Sequence, residues 1–265
     1  MARDRPEFER IVYAAGSPPF VATQRDALPT NRVLIEQWFG DRLRITESIL
    51  DVHHALHCQH WWALRQYPVR SASDSVALAS AHKNQYALFS ALELLRVGLN
   101  GSARPIYRYI FESQCIAKFS RVRTAHPLGD RWVAGKRISL RRAVFDHLST
   151  ALKSPLLQFW TLLNQTTHAT VFALQDSPFA EDNRDAIEGD LAVLTLLLAF
   201  EFHMLASHTY APALQAYVRQ YDGRPVIAKL LTEGRRLHRA ASSSHSAVAR
   251  GVRRAFACDW SMEDN

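Results

Sequence analysis

The residues best suited to chemistry in this chain are two arginines and a glutamate at four-residue steps: Arg104, Arg108 and Glu112. On a helix this spacing places all three on one side, and the residues between them, such as Tyr107 and Phe111, are apolar. A charged stripe flanked by apolar residues indicates a polar pocket inside a helical bundle.

Asn164 and His168 complete the predicted site. They are four residues apart and follow an apolar run, so they share one face of a second predicted helix. Histidine can act as a general acid or base near neutral pH, and arginine can bind a phosphate or stabilise developing negative charge. Cleavage of RNA without a metal requires these groups. The alternative is a buried Arg-Glu-His cluster that only fixes the helix register.

The elements that must position these residues are helices. Three- and four-residue apolar spacing predicts helices over about 32–66, 75–99, 103–123, 139–152, 156–169 and 186–207. Residues 1–30 contain several breakers and are predicted to be an irregular N-terminal wrap. Residues 31–210 form the predicted bundle core, with a loop over 173–185, and residues 211–265 a basic, extended C-terminal arm. The expected fold class is all-α, an antiparallel helical bundle.

The net charge of +7 is concentrated near the C-terminus, where residues 219–254 hold nine basic residues and two acidic ones. Such a segment can attract phosphates and release their counterions. The simpler interpretation is an exposed helix that keeps the protein soluble. The residues predicted to bind nucleic acid are Arg235, Arg236, Arg239, Arg250, Arg253 and Arg254.

A histidine-rich segment offers a metal site as a third hypothesis. His53, His54, His57 and His60 follow Asp51 at helical spacings that suit chelation, although a surface histidine stripe beside Trp61 and Trp62 explains the same pattern. The three cysteines, Cys58, Cys115 and Cys258, have neither disulfide-framework nor zinc-ligand spacing. We predict no cofactor, and for Cys115 a buried, inert thiol.

Residues 84–205 resemble an uncharacterised family of all-helical bacterial proteins found near mobile and defence genes. The shared pattern, GL-x-x-x-A-R-x-x-x-R-x-x-x-E and a later L-x-x-x-x-H, is carried by Gly98, Leu99, Ala103, Arg104, Arg108, Glu112, Leu163 and His168. This core is more distantly similar to HEPN domains, whose nuclease members place an arginine four to six residues before a histidine. The resemblance implies an RNA partner, a homodimer with paired sites and a role in defence or as a toxin.

The chain departs from the HEPN nuclease pattern before His168, because no arginine lies between Lys153 and His168. A literal match occurs at Arg142 and His147, where chance suffices in an arginine-rich segment. Two hypotheses therefore stand. In the first the protein engages RNA as a metal-independent endoribonuclease, and in the second it is a non-enzymatic binding or assembly module.

The expected compartment is a reducing cytoplasm. The N-terminal residues show no apolar segment after a basic start, which is what a secretory signal would require. The apolar run over 191–206 contains Glu201 and His203 and is shorter than the roughly 20 residues that span a bilayer. We therefore expect a buried core helix there and no membrane association.

Overall fold

The computed structural model describes residues 20–66, 71–167, 180–208, 212–220, 224–241, 247–258 and 260. Within these ranges the chain is helical, with no strand, so the all-α prediction is confirmed. The α-helices are α1 (Phe20–Gln66), α2 (Ala72–Arg96), α3 (Asn100–Val122), α4 (Leu128–Val133), α5 (Leu140–Ala143), α6 (Thr150–Thr167), α7 (Arg184–His208), α8 (Pro212–Gln220), α9 (Arg224–Ala241) and α10 (Ala247–Ala257). Two short 3-10 helices span Phe145–His147 and Ala180–Asn183.

Helix α7 lies at the centre of the bundle, where it contacts α1, α2, α3, α9 and α10. Because neighbours surround it, α7 is apolar on most of its circumference and buries residues such as Leu194, Leu197 and Leu198 completely. Helix α3 packs between α2, α6 and α7. The two helices that carry the predicted site, α3 and α6, are therefore direct neighbours.

The stretch Ala180–Ser207 is the one part of the described chain that is long and apolar enough to cross a membrane by length and composition. Its most apolar window has a mean hydropathy of 1.6, and 61% of that window is buried within the fold.

Two predicted boundaries are wrong for identifiable reasons. Helix α1 begins at Phe20 rather than near residue 32, because Pro29 lies inside the helix instead of ending it; residues 1–19 are outside the described ranges. The predicted helix over 139–152 is broken at Val144. Ala143, Val144 and Phe145 are all buried, and three consecutive residues cover too much of a helix's circumference to face one core.

The C-terminal segment does not form a projecting arm where it is described. Helix α8 packs on α1, α9 packs on α1 and α7, and α10 packs on α6 and α7. Each buries an apolar face, through residues such as Leu237 on α9 and Val252 and Phe256 on α10. Amphipathic helices of this kind are stable when their apolar side is covered. The exposed basic residues of α9 and α10 therefore lie on the outer surface of the bundle.

Helix α9 can approach α7 closely because Gly234 has no side chain. A Cβ atom built at Gly234 would lie 2.3 Å from Cε2 of Phe202, a ring that packs against both His53 and His238. The ring is held between these imidazoles and has little room to move.

We expect Gly234→Ala to lower the free energy of unfolding by about 1–3 kcal/mol, because the added methyl group overpacks this contact. The matched control is Gly189→Ala on α7, where a Cβ meets nothing within 4 Å and an alanine improves helix propensity. Urea unfolding measures the free energy of unfolding of both variants. Equal or higher stability of Gly234→Ala would contradict the close packing of α9 on α7.

Candidate functional site

The three residues of the predicted charged stripe all lie on α3, but they face two different neighbouring helices. Arg104 is 8% exposed, and its Nε atom lies 3.1 Å from Oδ2 of Asp190 on α7. Four-residue steps advance about 40° around a helix, so Arg104 and Glu112 point in directions about 80° apart. Arg104 therefore faces α7, and Glu112 faces α6.

Arg108 and Glu112 form the second part of the stripe, together with Trp160 of α6. Oε1 of Glu112 accepts a hydrogen bond from Nε of Arg108 at 2.9 Å and another from Nε1 of Trp160, also at 2.9 Å. The side chains of Arg108 and Glu112 are 31% and 30% exposed. This pair is reachable from solvent, whereas the Arg104–Asp190 pair is almost sealed.

Asn164 lies one helical turn beyond Trp160 on α6 and is half-buried. Its position brings it to the same side of α6 as the group that binds Glu112. His168, the proposed acid or base, lies outside the described residues. The structure therefore brings Arg108, Glu112 and the Asn164 face of α6 together, and it separates Arg104 from them.

The first residue of the family-like pattern, Gly98, has an architectural reason to be glycine. Its φ is +77°, which favours glycine, and it ends α2 in a Schellman motif: Gly98 N–H donates to Leu95 O and Leu99 N–H donates to Leu94 O. A Cβ at Gly98 would also lie 2.9 Å from Nδ2 of Asn31, which caps the same turn. This glycine needs no functional explanation.

The histidines of α1 turn to different partners. Nε2 of His53 lies 3.2 Å from Nε2 of His238 on α9, His54 contacts Gln85, and His57 stacks on His82. Among the residues that the structure describes, no group of three or more His, Cys, Asp or Glu side chains is arranged to hold a metal ion. The two exposed tryptophans, 43% for Trp61 and 53% for Trp62, flank this histidine face.

Several of these histidines are buried as neutral groups. Burial lowers the pKa of His60 to about 3, with added repulsion from His57 and Arg121. Burial lowers the pKa of His238 to about 4, with repulsion from Arg253. The pKa of His53 also falls well below its usual value, through burial and then through His238. These imidazoles stabilise the packing at neutral pH only while they are uncharged.

Glu201, a polar residue within the apolar run over 191–206, lies in the core and binds amides. Its Oε2 accepts hydrogen bonds from Nδ2 of Asn84 and Nε2 of Gln114, both at 2.9 Å, and burial raises its pKa. The adjoining cavity has a volume of about 10 Å³, which holds one water at most. This network can stabilise the packing of α2, α3 and α7, but it has no space for a substrate.

A pocket with basic lining residues lies between α7, α9 and α10 and has a volume of about 650 Å³. Three of the six arginines predicted to bind nucleic acid line it: Arg235 and Arg239 from α9 and Arg253 from α10. Phe202 and Phe256 also border it, with their rings almost completely buried, and none of the described lining residues is acidic. The arginines were predicted from the sequence but the pocket was not, because it forms only where α9 and α10 both pack on α7. We call it the C-terminal pocket.

Two further groups shape the floor of the C-terminal pocket. His203 lines it, and burial together with Lys118 and Arg121 lowers the pKa of His203 to about 4. Lys118 Nζ lies 3.5 Å from Nε2 of His203 and donates to the backbone oxygen of Phe256. The buried ammonium thus anchors α10 on α3 and adds positive potential behind the pocket.

The other predicted nucleic-acid-binding arginines lie outside the pocket lining. Arg236 is bound to Glu233 one turn away on the exposed side of α9, at 2.5 Å and 2.8 Å. Arg250 and Arg254 are exposed on α10. The basic surface therefore consists of a pocket with three guanidinium groups and an outer face on the same two helices.

The remaining sequence candidates are less well placed. Arg142 and His147 are both exposed, but they belong to two different short elements on either side of the break at Val144. Cys115 is completely buried, so the prediction that this thiol is buried is confirmed, and burial raises its pKa well above the usual value. No family model, curated protein or solved structure matches this chain.

Proposed function

We propose that this protein binds RNA through the basic face of α9 and α10. The observation that supports this proposal is the convergence of Arg235, Arg239 and Arg253 on one pocket whose described lining contains no acid. Positive side chains gathered in one place attract phosphates and release counterions when they bind. Arg250 and Arg254 extend this potential over the exposed side of α10. Arg236 lies on the exposed side of α9, where it is paired with Glu233.

A triple variant that replaces Arg235, Arg239 and Arg253 with glutamine is expected to lose most of its affinity for single-stranded RNA. The slope of log Kd against log salt should fall by about two, since each phosphate contact on a single strand contributes about 0.7. The matched control replaces Arg137, Arg141 and Arg142 with glutamine. These residues are exposed and lie near α5, so this variant removes the same charge from another face. Equal losses in the two variants would contradict a specific RNA-binding face.

RNA cleavage is a second part of the proposal, and it concerns Arg108 and His168. Arg108 is the arginine of the stripe that solvent reaches, and His168 is the next residue in the chain after Thr167, the last described residue of α6. In this mechanism His168 removes the 2′-hydroxyl proton and Arg108 stabilises the charged phosphorus centre, with Glu112 and Asn164 as orienting groups. The resemblance to HEPN domains, with its implied defence or toxin role and homodimer, belongs to this part of the proposal.

The competing proposal is a non-enzymatic binding module in which the stripe is structural. It is favoured by the fact that Arg104 and Arg108 both bind carboxylates within the fold. Incubating RNA with the protein in EDTA separates the two. Cleavage that is lost in His168→Ala and in Arg108→Gln, while RNA binding remains, supports the nuclease. Intact RNA with the wild-type protein removes the nuclease and leaves RNA binding standing.

A further inference from the structure

Helix α1 carries a cysteine beside a histidine, and a glutamine of α2 holds the histidine in place. Sγ of Cys58 lies 3.5 Å from Nε2 of His54, which is within hydrogen-bond distance for sulfur. Nδ1 of His54 lies 3.2 Å from Oε1 of Gln85. A nucleophile beside a base, with the base oriented by a third group, is the arrangement by which proteins activate a nucleophile.

We propose that Cys58 is the nucleophile of a thiol–disulfide exchange site whose substrate is a small, soluble disulfide, with His54 as the base and Gln85 as a positioning residue. The site lies between α1 and α2. This inference therefore goes beyond the proposed RNA-binding face of α9 and α10 and does not depend on it.

The orientation of the Gln85 amide determines which nitrogen of His54 faces the sulfur. Nε2 of Gln85 donates a hydrogen bond to the backbone oxygen of His53 at 3.4 Å, so Oε1 is the atom turned towards His54. An amide oxygen only accepts hydrogen bonds, and therefore Nδ1 of His54 carries the proton. Nε2 of the same ring then holds the lone pair, and it lies beside Cys58. The neutral ring is held in the form that can accept the thiol proton.

The thiol of Cys58 can be reached from solution. Cys58 is partly exposed and His54 is exposed, whereas Cys115 is completely buried. Trp62, which is 53% exposed, follows Cys58 by four residues, so Cys58 lies between His54 and Trp62 along the outer side of α1. A small disulfide can therefore approach the sulfur without any opening of the bundle.

The surroundings of Cys58 suit attack on a disulfide better than attack on a carbonyl group. Acyl transfer develops an oxyanion, which needs hydrogen-bond donors to stabilise it. Cys58 lies inside α1, where the backbone N–H groups are engaged in helix hydrogen bonds and cannot form an oxyanion hole. In disulfide exchange the charge develops on the departing sulfur, and a protonated imidazole can neutralise it.

The exchange proceeds in one balanced step. The thiol proton passes to Nε2 of His54, and the thiolate of Cys58 attacks one sulfur of the small disulfide. A new S–S bond forms to Sγ of Cys58 while the original S–S bond breaks. The electron pair of the broken bond stays on the departing sulfur, which takes the proton from His54. Cys58 is thereby oxidised to a mixed disulfide, and the released half of the small disulfide is reduced to a thiol.

The cysteines of the chain allow an internal comparison of rates. The full chain is reduced, freed of reductant and incubated with glutathione disulfide, and mass spectrometry of peptides follows the mixed disulfide at each cysteine. Cys258 is exposed, and no imidazole among the described residues contacts its sulfur, so it is the reference thiol. We expect Cys58 to react at least about tenfold faster than Cys258 in the folded protein, and at a similar rate in urea.

Variants test the role of each residue. His54→Asn should slow the reaction of Cys58 at least about tenfold, because it removes the base. The matched control is His82→Asn, which replaces an exposed histidine of α2 and should leave the rate unchanged. Gln85→Leu should also slow the reaction, since it releases the ring of His54. Gln85→Glu keeps an acceptor for Nδ1 and should retain the rate.

The outcomes decide the proposal. A Cys58 that reacts no faster than Cys258 in the folded protein, or that reacts equally fast in His54→Asn and in the wild type, overturns the exchange site. A slower reaction in His54→Asn with an unchanged urea midpoint supports it. If that midpoint shifts, the pair Gln85→Leu and Gln85→Glu decides, and equal rates in the two overturn the site. RNA binding is tested separately by the variants of α9 and α10.

Discussion

Asp190→Ala is expected to lower the free energy of unfolding by about 3–5 kcal/mol, because it removes the carboxylate that binds the buried Arg104 guanidinium. Desolvating a charge is costly, and the cost is recovered only while the partner is present. The side chains of both residues are 10% exposed, so water cannot replace the lost carboxylate without opening the packing of α3 on α7.

The double variant Arg104→Met with Asp190→Leu is the control for this prediction. Removing both charges together leaves no uncompensated ion, so the double variant should recover most of the loss. Chemical unfolding of the two single variants and the double variant completes the cycle. If Arg104→Met unfolds like the wild type and loses only RNA cleavage, Arg104 is a functional residue, as the sequence suggested, and the structural role is wrong.

Lowering the pH from 7 to 5 is expected to cost several kcal/mol of stability, on the order of 5, through the buried histidines. His57 and His238 have pKa values lowered to about 4 and His60 to about 3, and that of His53 is also lowered. Between the usual histidine pKa of about 6.5 and these values the unfolded chain takes up protons and the folded chain does not. The contribution of these histidines to the free energy of unfolding is therefore fully present above pH 6.5, and it is lost as the pH falls from about 6.5 towards 4.

The groups around these histidines reinforce the effect. His53 faces His238 and His57 faces His82, so a proton on one imidazole of a pair makes a proton on the other less favourable. His60 lies near His57 and the guanidinium of Arg121, which is already charged. Glu201 acts in the opposite direction, because burial raises its pKa and acid relieves that cost. His203, with a pKa lowered to about 4, adds to the effect of the other four histidines, and one carboxyl does not offset them.

Urea unfolding at pH 7.5, 6.5 and 5.5 measures this dependence. His60→Asn should flatten the slope by about one proton even though it weakens the packing at pH 7.5. Gln59→Ala, which replaces a neighbouring side chain that does not titrate, is the control on the same helix and should leave the slope unchanged. A stability that is constant from pH 7.5 to 5.5 would show that these imidazoles are solvated in the folded protein.

Helical periodicity was enough to predict the helices of the bundle, because apolar residues at helical spacing mark the side of each helix that is buried. The predicted helices over 75–99, 103–123 and 186–207 lie within a few residues of α2, α3 and α7. The break at Val144 was not predicted, because the burial of three consecutive residues there depends on the helices that surround them. The helical start at Phe20 was missed because Pro29 is a strong breaker that tertiary packing overrode.

The predicted site shows where local spacing stops being informative. Spacing correctly placed Arg104, Arg108 and Glu112 along one helix, but their partners Asp190 and Trp160 lie 86 and 48 residues away in the chain. The partner that each charged residue binds depends on how α6 and α7 pack around α3. The stripe was predicted as one pocket and is instead two separate contacts.

By itself, the amino-acid sequence determined that this protein is an all-helical bundle, that its positive charge is concentrated near the C-terminus, and that Cys115 is buried, because each of these is a property of residue types at helical spacing. Only the tertiary structure decided that α9 and α10 close a pocket with α7, that Gly234 lets them do so, and that the histidines of α1 face different partners. These features depend on contacts between residues far apart in the chain, and periodicity along one helix carries no information about its neighbours.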